Sequence, residues 1–367
     1  MIRYFPAICA IGLSWFVITT ADAQRIQSPQ VHEDHTVTFR FPSSVPQKVK
    51  VRINRLANGT FEMNRGENNL WSVTTPAIEP GIHEYLFLVD GVPTLDRHNR
   101  WTKKWYTCEN LFQVPGDTPT LVDVQSVPHG SLTRHTYDSK STGRQRDLLV
   151  YIPPGYHRDS QTRYPVLVLM HGFGDDYSAW TDVGKAGVIA DNLLAAGKIQ
   201  PMLIVMPDGH PLPKPYGNRP SNYFDNNNRA METTVVDEVI PLIDTIYRTK
   251  TAAKDRAIAG LSMGGGHTLF IGMGNTSVFG NLGAFSSAIP TDDSMADRIN
   301  KTKAAGSKVW IACGREDFLF RANEAFNQRL EDAGVKRTYL ATKGSHNWDV
   351  WRDDYLPQYL QTLFLSQ

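Results

Sequence analysis

Gly260-Leu261-Ser262-Met263-Gly264 carries the residue types of a nucleophile. A serine hydroxyl attacks a carbonyl only when a base takes its proton and its oxygen stands clear of the backbone. The pattern G-x-S-x-G achieves the second condition where a strand hands over to a helix. There the chain turns within one residue, and the serine is held strained at the carboxyl edge of a sheet. The helix start beneath it favours developing negative charge. The apolar run Arg256–Leu261 predicts the strand, and the small residues after Ser262 predict the helix start. Bulky side chains at 260 or 264 would collide with neighbouring backbone.

A carbonyl attacked by Ser262 becomes an oxyanion, which needs two fixed donors. The N–H of Met263 follows the nucleophile directly. The second donor is expected after an earlier strand, where His171-Gly172-Phe173-Gly174 follows Val166–Met170. Phe173 N–H is assigned, with Gly174 as the neighbouring alternative. His171 is read as holding that loop rather than as a base. Serine, acid and histidine come in that chain order in one hydrolase architecture. His346, in Gly344-Ser345-His346-Asn347-Trp348, follows the apolar stretch Thr338–Ala341 and fits the base. His267, five residues past Ser262, points elsewhere and is given a surface or packing role. Asp317 and Glu316 both follow the run Val309–Ala312. Asp317 is preferred as the carboxylate that orients His346, and Asp349 is read as a helix-start carboxylate. Cys313 is taken as a buried packing residue. Neither Cys-x-x-Cys nor His-Glu-x-x-His occurs, so no metal and no cofactor is expected.

Those side chains need a scaffold with many strand ends on one edge. From about residue 131, apolar strand-like runs alternate with helical stretches. The strands are Leu148–Ile152, Val166–Met170, Leu203–Met206, Ala257–Leu261, Val309–Ala312 and Thr338–Ala341. The helices are expected near 188–196, 233–247, 264–273, 322–333 and 351–363. This predicts an α/β fold, a mostly parallel sheet with helices on both faces. Residues 24–115 read differently. Val37, Phe39 and Phe41, then Val49, Val51 and Ile53, alternate with polar residues, and Asn58-Gly59 and Asp90-Gly91 signal hairpins. A small all-β sandwich is predicted there, with a linker over 116–130 and the α/β unit over 131–367.

The 367 residues hold 38 Lys+Arg and 37 Asp+Glu, a net charge of +1. That balance argues against a nucleic-acid partner. Residues 1–23 read as a secretory signal. Arg3 precedes an apolar run, and Ala21-Asp22-Ala23 offers small residues before Gln24. Export to the periplasm or medium is expected, with no membrane attachment after cleavage. Oligomeric state is left open, as is pairing of Cys108 with Cys313.

The motifs around His171, Ser262 and His346, with Ile311-Ala312-Cys313-Gly314, together resemble the esterase-D-like α/β-hydrolases. The nearest likeness is to feruloyl and acetyl-xylan esterase modules of bacterial xylanases. The resemblance spans about 131 to 365. It implies Ser262, Asp317 and His346 as catalytic residues and the backbone of Met263 and Phe173 as oxyanion donors. Family members often carry Gly-His-Asp where this chain has Ser345-His346-Asn347, which leaves the adjoining pocket wall open. The first block resembles the early-set, immunoglobulin-like domain of glycogen-branching enzymes, through Leu70-Trp71-Ser72, Pro80-Gly81 and Tyr85-Leu86-Phe87. Trp71, Trp101 and Trp105 are candidates for stacking on sugar rings, with packing as the preferred reading.

Residues 211–229 follow the strand at 203–206 with little periodicity, and so read as a loop at the ligand-binding edge. Asn222, Tyr223 and Phe224 are the substrate-binding candidates there, beside Tyr216. The expected function is removal of feruloyl or acetyl groups from an acylated plant polysaccharide, the substrate partner, through an acyl-enzyme. The alternatives are a siderophore trilactone esterase, sugar acyltransfer and a silent carbohydrate-binding protein. Lys214, Arg219 and Arg229 are the basic residues of that loop, too few to favour the siderophore reading.

Overall fold

The computed structural model describes residues 26–104, 106, 108–213 and 220–364. The expected signal at 1–23, Trp105, Lys214, Tyr216 and Arg219 lie outside them. Among the described residues no helix is long and apolar enough to cross a membrane.

Alternating apolar residues in the first block make two antiparallel sheets. One runs in the order β1 (Gln30–Val31), β2 (Val37–Pro42), β6 (Leu70–Thr74), β5 (Asn64–Arg65). The other runs β4 (Thr60–Glu62), β3 (Val49–Ile53), β7 (Gly81–Val89), β10 (Glu109–Val114), β9 (Thr102–Lys103), with β8 (Val92–Thr94) paired to β7. Period-two alternation sends Val37 and Phe39 of one sheet against Val49, Val51, Tyr85 and Phe87 of the other, all fully buried. At the β7–β8 turn, Asp90 and Gly91 both take positive φ, 49° and 87°, and Val89 faces Val92. Trp71 is 6% exposed in this core and donates its indole N–H to Ser43 O. It is a packing residue, not a sugar platform.

Residues 116–130 hold no strand or helix, yet they are fastened down. Asn192 donates to the carbonyls of Leu121 and Asp123 at 2.9 Å each, and Asp191 accepts the Gly130 N–H at 2.9 Å.

The second block is an eight-stranded sheet in the order β11 (Ser131–Ser139), β12 (Arg144–Ile152), β14 (Leu203–Pro207), β13 (Val166–Met170), β15 (Arg256–Leu261), β16 (Asn281–Phe285), β17 (Lys308–Gly314), β18 (Arg337–Thr342). β11, β12 and β14 pair antiparallel; from β14 to β18 all pairs are parallel. One face is covered by α1 (Ala179–Asp182), α2 (Ala186–Ala195) and α8 (Leu356–Leu360). The other is covered by α3 (Tyr223–Thr233), α4 (Ile240–Ile246), α5 (Met263–Gly274), α6 (Met295–Ala305) and α7 (Phe320–Asp332). The sandwich buries Ile82 and Leu111 in the first of these cores.

Three expectations need correction. The stretch 211–229 is not loop throughout: α3 begins at Tyr223, and a π-helical segment at Thr234–Val239 joins it to α4. The buried positions Tyr223, Asn227, Asn228 and Met231 do have helical spacing, but two are asparagines, so an apolar pattern conceals them. β11 and β16 were absent from the predicted strands. β11 is a polar, largely exposed edge strand, and Asn-Leu-Gly-Ala-Phe of β16 has no β-branched residue. The final helix opens with a π-helical turn, Asp349–Tyr355.

Candidate active site

β15 ends at Leu261, wholly buried, and α5 starts at Met263. Ser262 bridges them at φ 53°, ψ −116°, a conformation an L-residue adopts only under constraint. The constraint is visible. Ser262 N–H donates to Phe285 O at 2.8 Å, and its carbonyl accepts the N–H groups of Gly266 and Ala288 at 3.1 and 2.9 Å. A Cβ on Gly260 would lie 2.6 Å from the carbonyl oxygens of Gly264 and Met170, and one on Gly264 would collide with those of Met170 and His171. The glycines let three backbone segments meet beneath the serine.

β17 and β18 run side by side and place the acid and the base. Asp317 lies just past β17, and its N–H donates to Gly314 O at 3.1 Å. His346 lies past β18. His346 Nδ1–H donates to Asp317 Oδ2 at 2.8 Å, and Ser262 Oγ–H donates to His346 Nε2 at 3.0 Å. The structure thus brings together the three residues that the sequence nominates. Burial pushes the Asp317 carboxyl up, but hydrogen bonds from His346 and the Leu319 N–H outweigh it and hold the group below its ordinary value. It stays a carboxylate facing the imidazole. Glu316 faces the other way and accepts the Gly344 N–H, pinning the histidine loop. Asp349 pairs with Arg352 at 3.1 Å and Arg55 at 3.6 Å, away from His346. Cys313 is fully buried in β17, and burial pushes its thiol up to about 12. It is no thiolate nucleophile.

The loop after β13 lies against the serine. A Cβ on Gly172 would sit 3.6 Å from Ser262 Cβ, and Phe173 lines the same cavity as Ser262. Met263 opens α5, where N–H groups have no helical acceptor. His171 is 1% exposed, donates from Nδ1 to Gly172 O at 2.8 Å and accepts the Gly209 N–H on Nε2 at 2.8 Å. It ties the loops after β13 and β14 together; burial pulls its pKa down, but the Asp208 carboxylate 3.6 Å from Nε2 outweighs this and holds it above the ordinary value. His267 is not on the surface. It is fully buried beside His171 and His210, accepts from Asn227 Nδ2 at 3.0 Å, and burial holds it well below its ordinary pKa. His210 in turn bonds Phe173 O at 3.0 Å.

Ser262 and His346 open into a cavity of about 540 Å³. Phe173, Phe224, Phe318, Trp348 and Trp351 make an aromatic wall, with the His346 ring 4.5 Å from Phe318 and 4.7 Å from Trp351. Of the three substrate candidates, Phe224 is on the wall. Tyr223 lies buried behind it, 6.0 Å ring to ring from Phe173, and Asn222 sits at the exposed start of α3. Asn347 lines the cavity and accepts the Asp349 N–H at 3.0 Å.

The opposite wall carries no signal in the sequence motifs. Arg55, Glu84, Lys103 and Tyr106 come from the sandwich, and Asp175 from the loop after β13. Asp175 carries a signal in hindsight, an acid just past His-Gly-x-Gly. The sandwich residues are 156 to 207 positions from Ser262, beyond what spacing can reveal. Trp101 belongs to the docking contact. Its indole N–H donates to Asp182 O at 2.8 Å, and Lys185 Nζ stands 3.9 Å above its ring.

The profile of the Esterase family matches residues 139–362. An endo-1,4-beta-xylanase/feruloyl esterase of Xylanibacter ruminicola is 31% identical over 345 residues, 92% of this chain and 46% of that protein. The chain therefore spans about half the length of that relative. Among solved structures, a ferulic acid esterase is 27% identical with a TM-score of 0.54, over 64% of this chain and 97% of the other. The enterobactin esterase of Shigella flexneri aligns over 90% of this chain and 93% of its own with a TM-score of 0.62. At 18% identity that likeness concerns the fold alone.

Proposed function

This chain belongs to the Esterase family, and on that premise we propose that it is a carboxylic ester hydrolase whose Ser262, His346 and Asp317 hydrolyse feruloyl or acetyl esters of plant polysaccharide through an acyl-enzyme. The observation that carries the reading is the unbroken line of hydrogen bonds from Ser262 Oγ through His346 to Asp317, opening into the aromatic cavity. As Oγ bonds to the ester carbon, its proton passes to His346 Nε2. The oxyanion is received by the N–H groups of Met263 and Phe173. Collapse breaks the bond to the alcohol oxygen, which takes the proton back from His346. Water, deprotonated by the same nitrogen, then releases the acid and frees Ser262.

The aromatic wall favours an aryl acyl group, and the cavity is of ordinary size for such a ligand. The xylanase/feruloyl esterase relative supports a polysaccharide ester as the natural substrate. We further propose that residues 1–23 direct export, that cleavage leaves Gln24 as the new N-terminus, and that the sandwich and the hydrolase divide at 116–130. A second reading, hydrolysis of a catecholate trilactone, is favoured by Arg55 on the cavity wall, which suits an anionic ligand. A panel of methyl ferulate, acetylated xylan and a catecholate trilactone decides. Methyl ferulate is expected to be turned over at least tenfold faster, by kcat/KM, than the trilactone. The reverse order selects the second reading, and no turnover of any of the three overturns both.

A further inference from the structure

An acid stands on the cavity wall beside the nucleophile. Asp175 is 7% exposed and lines the cavity with Ser262. Its Oδ2 and Ser262 Cβ flank the same spot, 3.5 and 3.6 Å from where a Gly172 side chain would begin. Its own N–H is used, donating to Gly172 O at 3.2 Å. Its carboxylate accepts no hydrogen bond from any described residue. It is not among the fully enclosed polar atoms that lack a partner, so it faces the cavity, where a ligand can supply the donor.

The nearest cation does not relieve it. Lys103, from β9 of the sandwich, is 14% exposed, and its Nζ is engaged by Glu84 at 2.6 Å and Glu109 at 3.1 Å. Burial pulls its ammonium down, but the two glutamates outweigh this and keep Lys103 charged. Glu109 is further bound to Asn54. Lys103 therefore lends Asp175 its field and no donor. Burial lifts the Asp175 carboxyl to about 6, and His171 and Lys103 limit the rise. An acceptor without a donor, at one end of a cavity whose other wall is aromatic, is completed by a ligand that brings an O–H.

We propose that Asp175, backed by the Glu84–Lys103 pair that the sandwich supplies, is a substrate-binding residue whose carboxyl oxygen accepts a hydroxyl group of the ester seated at Ser262. The inference rests on the reading of the cavity as an ester site. It makes the sandwich part of that site rather than an appended module. The hydroxyl has two sources, the ring of an aryl acyl group or the sugar that carries the ester, and their chemistry at Asp175 is the same.

Calorimetry on the full chain tests this with ferulate and dimethoxycinnamate, which differ only in a methyl cap on the ring hydroxyl. The wild type is expected to bind ferulate roughly tenfold tighter, the worth of a hydrogen bond to a charged group. Asp175→Asn is expected to bring that ratio within about threefold and leave dimethoxycinnamate affinity unchanged, a selectivity that a merely structural role would not produce. A methyl arabinofuranoside is the second arm. If the variant loses affinity for the arabinoside and not for ferulate, the hydroxyl is the sugar's and the proposal holds. Equal weakening toward all three probes, or no change toward any, overturns it. Where Asp175→Asn unfolds early, Lys103→Met is expected to lower the same ratio, and an unchanged ratio in that variant overturns the proposal. Binding needs no turnover, so a wild type that hydrolyses nothing defeats the ester-hydrolase reading separately from this one.

Discussion

At the scale of the residue, function follows from which hydrogen-bonding atoms are used and which are left over. Asp317 uses one oxygen on His346 and the other on the Leu319 N–H, so its charge and orientation are both fixed. Replacing it with asparagine keeps the shape but turns the imidazole to the wrong tautomer. Asp317→Asn is expected to lower kcat roughly 10⁴-fold on p-nitrophenyl acetate, whereas Glu316→Gln stays within about tenfold. Similar losses in both variants would deny Asp317 its special place. The sequence made Ser262 and His346 legible because their motifs encode local backbone geometry. The choice between Glu316 and Asp317 was harder. Both follow β17, and only the turn at Gly314 decides which one faces His346. Asp175 was missed for another reason: an unmet acceptor is a property of its surroundings, not of its neighbours in sequence.

At the scale of the element, the strand-to-helix junction does most of the positioning. β15, α5 and the end of β13 converge where no side chain fits, and Gly264 faces backbone oxygens that have no room to retreat. Gly264→Ala is expected to cost about 1–3 kcal/mol, the range for overpacking, and to reduce turnover by displacing Ser262. Thermal unfolding and p-nitrophenyl acetate kinetics check it. A variant with wild-type stability and rate would show that the close approach is not a constraint. The parallel strands were legible because burial on both faces makes them apolar throughout. β11 was not, since an edge strand in water has no reason to be, and α3 hid its inner face behind asparagines.

At the scale of the whole molecule, the sandwich and the hydrolase meet around the cavity. Trp101, Lys104 and the fastened segment 116–130 hold them in register, Lys104 through Asp182 at 3.1 Å. Trp101→Ala removes an aromatic face, a hydrogen bond and a cation–π contact, together about 2–3 kcal/mol. Faster proteolysis within 116–130 and a lower Tm are the expected signs. Unchanged proteolysis would mean the two parts are held by something else. The sequence predicted both parts but not their union, because period and composition describe each core and say nothing of the surface one core offers the other.

The most direct measurement is mass spectrometry of enzyme quenched during turnover of p-nitrophenyl acetate. One added acetyl group is expected on the peptide bearing Ser262, built up fastest in the first turnover and absent from Ser262→Ala. Steady hydrolysis with that peptide unmodified, or acetyl trapped on a different side chain, would contradict an acyl-enzyme at Ser262.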